Sequence, residues 1–295
     1  MKRILVLGAN GMLGSSVIEI LSGDAENLSV VGTLRSHENV LNSNILFFDA
    51  QQESVSEFFE VNHNFDYVIN CIGFIPQKSE GNPRLDSEKM IRLNAVLPHL
   101  LSAEAIHHNF KIIQIATDCV YSGLNGPYSE VSAHTAEDIY GLSKSVGEVI
   151  AENMMQIRCS IIGRNDVQNV SLHNWFVNQP LGSTVNGYIN HLWNGITTDA
   201  FAKVIRGVIN ADLFQSGLHH LIPSDWVSKF ELLETIRIGA SRQDIQVVEF
   251  SSPESVDRRL STLNPDFNNQ MWQSGGYREI PKIRELVQQM YSHSE

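Results

Sequence analysis

A tyrosine and a lysine stand four residues apart in Tyr140-Gly141-Leu142-Ser143-Lys144, at the head of an apolar-periodic run from Leu142 to Met155. On a helix, positions i and i+4 share a face. A lysine ammonium beside a phenol favours phenolate and lowers the tyrosine pKa. Such a tyrosine is a proton donor or acceptor usable near neutral pH. Upstream, the strand-like stretch Lys111 to Ala116 runs into Thr117-Asp118-Cys119. Open α/β sheets place their chemistry at strand C-termini. Thr117 there is a candidate to hold a substrate oxygen while Tyr140 moves the proton; the plainer reading is a strand-end cap. Asp118 and Cys119, next to it, are candidate substrate contacts.

A second chemical signal lies at the N-terminus. The apolar stretch Arg3 to Leu7 meets Gly8-Ala9-Asn10-Gly11-Met12-Leu13-Gly14 and then a helix-like run, Ser15 to Leu21. Strand, glycine turn and helix are the context of a dinucleotide site. Gly8 serves the tight turn, Gly11 the approach of a pyrophosphate and Gly14 the packing of helix on strand. The helix N-terminus offers N–H groups to phosphate, so Gly8, Asn10, Gly11, Met12 and Leu13 are candidate cofactor contacts. The next strand, Leu28 to Leu34, ends in Thr33-Leu34-Arg35-Ser36, without the carboxylate that binds a ribose 2′-hydroxyl in NAD sites. Arg35 can instead pair with a 2′-phosphate, helped by Thr33 and Ser36, which favours NADP(H) over NAD(H); otherwise it is a solvated surface arginine. Asp49, ending the stretch Ile45 to Phe48, either accepts from an adenine amino group or caps a helix beginning near Glu53. Gly73, after the stretch Tyr67 to Ile72, lets backbone pass close to a cofactor ribose. Cys71 beside it reads as a small buried apolar residue in the cofactor wall.

These residues need a frame, and the hydrophobic pattern supplies one. A helical pattern from Leu85 to His108 is broken by Pro98, which should kink or divide it near Asn94. Gly123 to Glu130 is a turn-rich loop leading to the Tyr140 helix, and Gln156 to Ile162 reads as a strand. Strand and helix alternate up to Gly163, as a doubly wound parallel sheet requires. Beyond it follow helical patterns at Leu172–Val177, Thr198–Ala211 and Ser228–Ile238 and strands at Leu218–Ile222 and Gln246–Phe250. Gly182 to Trp193 reads as turn-rich, Asp199 as a cap or first-turn acid, and Pro281 as the opening of a last helix. The expected organisation is a Rossmann-type domain over 1–165, with sheet additions near 196–222, and a smaller substrate-binding lobe from 166–195 and 223–295.

The chain has 295 residues and a formal net charge of −12, which argues against a nucleic-acid or anionic-membrane surface. Three scattered cysteines, Cys71, Cys119 and Cys159, and no signal-peptide pattern suggest a reduced cytoplasmic chain. The sequons at Asn27 and Asn169 would then be unused. No membrane-length apolar run occurs. No metal site is expected: HExxH and CxxC are absent, and His107 and His108 are neighbours pointing in different directions on a helix. A homodimer is compatible with this composition.

Taken together, Gly8-xx-Gly11-xx-Gly14, Ala116-Thr-Asp-Cys-Val-Tyr-Ser-Gly123, Gly126-Pro-Tyr-Ser-Glu130 and Tyr140-Gly-Leu-Ser-Lys144 resemble the extended short-chain dehydrogenase/reductases. Within them the chain is most similar to the dTDP-4-dehydrorhamnose reductase (RmlD-like) sugar-nucleotide family. The likeness is specific in the N-terminal half and diffuse beyond Gly163. It implies a Rossmann fold, NAD(P)H and reduction of a nucleotide-linked 4-keto-6-deoxy sugar for surface-polysaccharide precursors. Tyr140 would protonate the new alkoxide, Lys144 would tune Tyr140 and bind the nicotinamide ribose, and Thr117 would hold the keto oxygen. Asn94 matches the family's helix asparagine that supports the lysine through water; alternatively it is a buried polar residue at a helix bend.

The chain also departs from that pattern. Cys119 stands where the reductases carry a tyrosine, and Ile161, in Arg158-Cys-Ser-Ile-Ile-Gly163, replaces a tryptophan associated with sugar binding. Trp193, Tyr188 and Asn194 are candidates to contact a nucleotide base, or else they pack a lobe interface. Arg258, in Asp257-Arg258-Arg259-Leu260, offers a cation to a diphosphate, or sits at a solvated loop. Dehydratases of the superfamily carry an Asp-Glu pair after the threonine, and here Cys119 takes the glutamate's place. An epimerase would need Cys119 as a second acid/base with a lowered pKa. The regulatory β subunit of methionine adenosyltransferase resembles the same family, so a non-catalytic dinucleotide-binding subunit is the third reading.

Overall fold

The structure is a computed structural model, described here over residues 1–35, 44–79, 81–164 and 171–292. Along the chain the strands are β1 Lys2–Leu7, β2 Leu28–Leu34, β3 Ile45–Phe47, β4 Tyr67–Asn70, β5 Lys111–Ala116, β6 Met154–Arg158, β7 Ile161–Ile162, β8 Thr184–Tyr188, β9 His191–Trp193, β10 Ile196–Thr197, β11 Gly217–His220, β12 Val227–Ser228, β13 Gln246–Phe250 and β14 Val256–Asp257. The α-helices are α1 Met12–Ser22, α2 Val55–Val61, α3 Pro83–Met90, α4 Leu97–His108, α5 Ile139–Val146, α6 Leu172–Val177, α7 Thr198–Asn210, α8 Lys229–Gly239, α9 Pro265–Ser274 and α10 Ile283–Ser292.

Seven strands form one parallel sheet in the order β11-β6-β5-β4-β1-β2-β3. This is the expected Rossmann-type α/β fold. Side chains alternate across each strand. Ile4 and Val6 enter a core shared with α1, α7 and α9, while Leu5 and Leu7 enter a core shared with α2 and α4. The winding reverses between β1 and β4, so the crevice between their C-terminal ends is the place for a ligand. A third core gathers Phe176, Val185, Trp193, Leu232 and Val287 around α6, α8 and α10. The segment 265–274, read from sequence as part of the smaller lobe, sends Phe267, Met271 and Trp272 into the core of the main sheet.

Several elements differ from the sequence reading. The pattern before His108 is divided upstream of Pro98: α3 gives way to a π-helical turn, Ile91–Val96, before α4 begins. Pro98 has no N–H for the carbonyl of Asn94 four residues earlier, and its ring crowds that carbonyl, so the turn widens. The Tyr140 helix ends at Val146 rather than Met155. Its C-cap, Gly147, lies so close to this turn that a Cβ there would sit 1.9 Å from the Asn94 carbonyl oxygen. The stretch Gly182 to Trp193 is not all turn but contains β8 and β9, and α9 is an additional helix. Pro281 precedes the last helix, which begins at Ile283. Thr197 caps α7 and Asp199 lies in its first turn. Among the described residues, no helix is long and apolar enough to cross a membrane.

Candidate active site

The glycine turn opens onto the β1/β4 crevice. Gly8 has φ +77°, a conformation L side chains rarely adopt, and a Cβ at Gly14 would lie 2.1 Å from the Gly8 carbonyl oxygen. No side chain caps α1 at Gly11, so its first N–H groups stay available to an anion. Gly8, Asn10, Gly11, Arg35, Asp49, Cys71 and Gly73, all read from sequence as cofactor contacts, line one cavity of about 170 Å³. Met12 and Leu13 are not in its wall; Leu13 packs into the core, so only its backbone remains for a ligand. Thr33 is buried and its hydroxyl accepts from Gly8 N–H at 3.1 Å, pinning the turn rather than waiting for a phosphate. Ser36 lies outside the described residues. Arg35 is exposed at the cavity mouth. Asp49 accepts from Gln51 N–H at 2.9 Å, while Ser54 caps α2, so Asp49 is not that helix's cap. Burial pushes the Cys71 thiol up to about 12, which makes it an inert wall residue.

Thr117, Tyr140 and Lys144 meet beside this cavity. Asp138 caps α5 by accepting from Gly141 N–H at 2.9 Å. Gly141 lets the helix start press on the turn after β5: a Cβ there would lie 2.5 Å from the Cys119 carbonyl oxygen. Tyr140 and Thr117 are thereby brought together, close enough for the Thr117 side chain to pull the Tyr140 pKa down. Thr117 also donates to Asp118 Oδ1 at 3.3 Å and accepts from Cys119 N–H at 3.2 Å, so it caps the turn as well. Lys144 is held next to Gly73, where a Cβ would stand 3.1 Å from its Nζ. Burial lowers the Lys144 pKa to about 8, against opposing pulls from Cys119 and Glu148. The expected lowering of Tyr140 is not what this geometry gives: burial, then the charge of Cys119, raise it, and the Thr117 hydrogen bond opposes them.

Asn94, also a candidate substrate contact from its place beside the active-site helix, is occupied as a clamp. Its Oδ1 accepts from Phe74 N–H at 2.9 Å, and its Nδ2 donates to the Phe74 carbonyl at 2.8 Å and to Ser143 Oγ at 3.1 Å. It fixes the Gly73–Phe74 backbone against the residue before Lys144.

The other wall is charged. Asp118 is buried, and its pKa is raised by desolvation against the pull of Lys229 and Arg258. Arg258 Nη1 lies 3.8 Å from Cys119 Sγ, and its Nε is buried without a hydrogen-bond partner. Arg259 is occupied by Asp257, in two bonds of 2.9 and 2.8 Å. Burial, then the charge of Asp118, push the Cys119 thiol up to about 12, opposite to what an acid/base cysteine needs. Trp193 is a core residue that donates to Ser160 Oγ at 2.8 Å, so it does not face a base. Asn194 bonds the Leu260 backbone on both sides, at 2.7 and 2.9 Å. Tyr188 is stacked on His191, with centroids 4.5 Å apart.

Lys229 is the residue sequence reasoning missed. It lies 5.0 Å over the Trp193 ring, and burial brings its pKa to about 8 while Asp118 and Cys119 oppose the fall. A signal was present: Ser228 and Glu231 form a capping box, which puts Lys229 at the positive end of α8, where a cation is disfavoured. Below this wall, buried Arg158 donates to Glu148, Tyr121, His220 and His134, fixing the loop that carries Gly123 to Glu130.

A glycine turn at the switch point of a doubly wound sheet, with a tyrosine and lysine beside it, defines an extended short-chain dehydrogenase/reductase. The chain belongs to the family described as RmlD substrate binding domain, which matches residues 1–171. It is similar to the dTDP-4-dehydrorhamnose reductase of Aggregatibacter actinomycetemcomitans, 28% identical over 149 residues, which are 50% of this chain and 46% of that protein. It is equally similar to methionine adenosyltransferase 2 subunit beta of Danio rerio, 28% identical over 147 residues, 50% of this chain and 42% of that protein. The chain thus spans about half the length of the curated relatives it matches. In fold it is similar to the dTDP-4-dehydrorhamnose reductase of Bacillus anthracis solved with NADP, with a TM-score of 0.74, 19% identity and 100% of both chains covered. The corresponding Clostridium acetobutylicum structure gives 0.74 at 21% identity, covering 98% of both chains.

Proposed function

We propose that the chain is an NAD(P)H-dependent reductase of a nucleotide-linked 4-keto-6-deoxy sugar. The observation that carries this is the meeting of Thr117, Tyr140 and Lys144 between the glycine-turn cavity and the wall of Asp118, Lys229 and Arg258. A bound reduced nicotinamide supplies the hydride. The glycine turn and the uncapped N-terminus of α1 take the pyrophosphate, and Lys144 beside Gly73 takes the ribose. Thr117 and Tyr140 hold the carbonyl oxygen, and Tyr140 delivers the proton to the alkoxide as it forms. The high pKa of Tyr140 suits a group that must carry its proton until then. Arg258 and Lys229 face the anionic carrier. Arg35 at the cavity mouth favours NADP(H). A place in surface-polysaccharide precursor synthesis follows from the substrate class.

The test is loss of reduced-nicotinamide absorbance with NADPH and NADH against 4-keto-6-deoxy sugars on dTDP, UDP and GDP. Turnover of one names the carrier. Silence across the panel with tight NADPH binding sinks the reductase. The specific observation favouring a second reading is the match to methionine adenosyltransferase β subunits, which makes a regulatory dinucleotide-binding subunit the heir to that outcome. An epimerase using Cys119 is disfavoured by its raised thiol pKa.

A further inference from the structure

Helices α2 and α4 end side by side, away from the cleft. Glu60 is next to last in α2, and His107 and His108 close α4. The Glu60 carboxylate and one nitrogen from each imidazole lie within 4.8 Å of one another. Glu60 Oε1 is 3.7 Å from His107 Nε2, and Glu104, one turn before His108, sets Oε2 3.4 Å from His108 Nε2. That last pair is close but not aligned for a hydrogen bond, and His108 Nε2 is buried without a hydrogen-bond partner. Buried polar atoms ordinarily have partners, so this one calls for an explanation. The His108 ring is held by Phe59, at 6.1 Å between centroids, and stands perpendicular to His107 at 4.6 Å. Both helices end here, and their C-terminal carbonyls favour a cation. Four ligand atoms at zinc distances in a tetrahedron stand about 3.4 Å apart. The Glu60–His107 pair at 3.7 Å is already near that spacing. Glu60 and His107 are exposed enough to rotate the rest of the way, with side chains 62% and 68% accessible.

We propose that Glu60, His107 and His108 bind a divalent transition-metal ion of the zinc type that pins α2 to α4, with solvent completing its shell. Two imidazoles and a carboxylate suit zinc, whereas magnesium prefers an all-oxygen set. The ion would act as a brace on the helix layer, independent of turnover in the cleft.

The experiment is calorimetric titration of the tag-free, chelator-treated full chain with zinc chloride, alongside thermal unfolding with zinc or magnesium. One zinc per chain is expected, with a higher unfolding midpoint in zinc and none in magnesium. Glu60→Gln and His107→Gln, both at exposed positions and so expected to fold, should each weaken binding about tenfold or more. No zinc-dependent rise at millimolar metal overturns the proposal. So does unchanged affinity in the Glu60→Gln/His107→Gln double variant, or an equal response to magnesium.

Discussion

Replacing Lys144 by methionine should stabilise the folded chain at neutral pH while removing turnover. Burial holds the Lys144 ammonium at a pKa of about 8, against an ordinary 10.5; Cys119 and Glu148 oppose the fall and Lys78 adds to it. A depression of that size corresponds to about 3 kcal/mol. The side chain keeps some contact with solvent, which reduces the figure to about 2 kcal/mol. The unfolded lysine keeps its proton up to pH 10.5, the folded one only to about 8. Between those values the unfolded state binds more protons, so this group's contribution to stability rises with pH. Its cost is therefore full below pH 8 and gone above 10.5. Methionine has similar length and no charge. Urea unfolding of both cofactor-free proteins from pH 7 to 10 should give a variant about 2 kcal/mol more stable at pH 7, with the difference shrinking as pH rises. Thiols and phenols freed by unfolding titrate in the same range, but they are common to both proteins and largely cancel in the difference. A variant less stable at pH 7, or a difference constant with pH, would refute the assignment of Lys144 as a desolvated cation.

Tyr140→Phe should keep NADPH affinity, read by fluorescence, and lower kcat by about a hundredfold or more; near-normal turnover would remove Tyr140 from proton transfer. Arg35→Ala should weaken NADPH binding about tenfold or more while leaving NADH unchanged, and equal losses for both cofactors would make Arg35 a general surface charge. Asn94→Ala removes the clamp on Phe74 and Ser143. It should cost about 1–3 kcal/mol in denaturant unfolding, and an unchanged midpoint would show that the π-turn holds the loop without it.

The sequence by itself determined the local elements that chemistry needs. A strand, a glycine turn and a helix follow one another within a few residues, and the tyrosine–lysine spacing is fixed by the helix that carries it. Parallel order followed from the alternation of strand and helix. The tertiary structure decided whatever depends on residues distant in sequence. Gly147, at the end of α5, has no room for a side chain because the carbonyl of Asn94 lies against it. Trp193 looked like a base-stacking residue until Ser160 and the third core claimed it. Thr33 looked like a phosphate ligand until Gly8 claimed its hydroxyl. Lys229 joined the cleft only because α8 brings it over Trp193 toward Asp118. Adjacent histidines that cannot pair along one helix became neighbours of a carboxylate from another. The protonation of Tyr140 and Cys119 likewise waited on the fold: charge partners can be guessed from spacing, but desolvation, the larger effect at both, depends on how the rest of the chain closes over them.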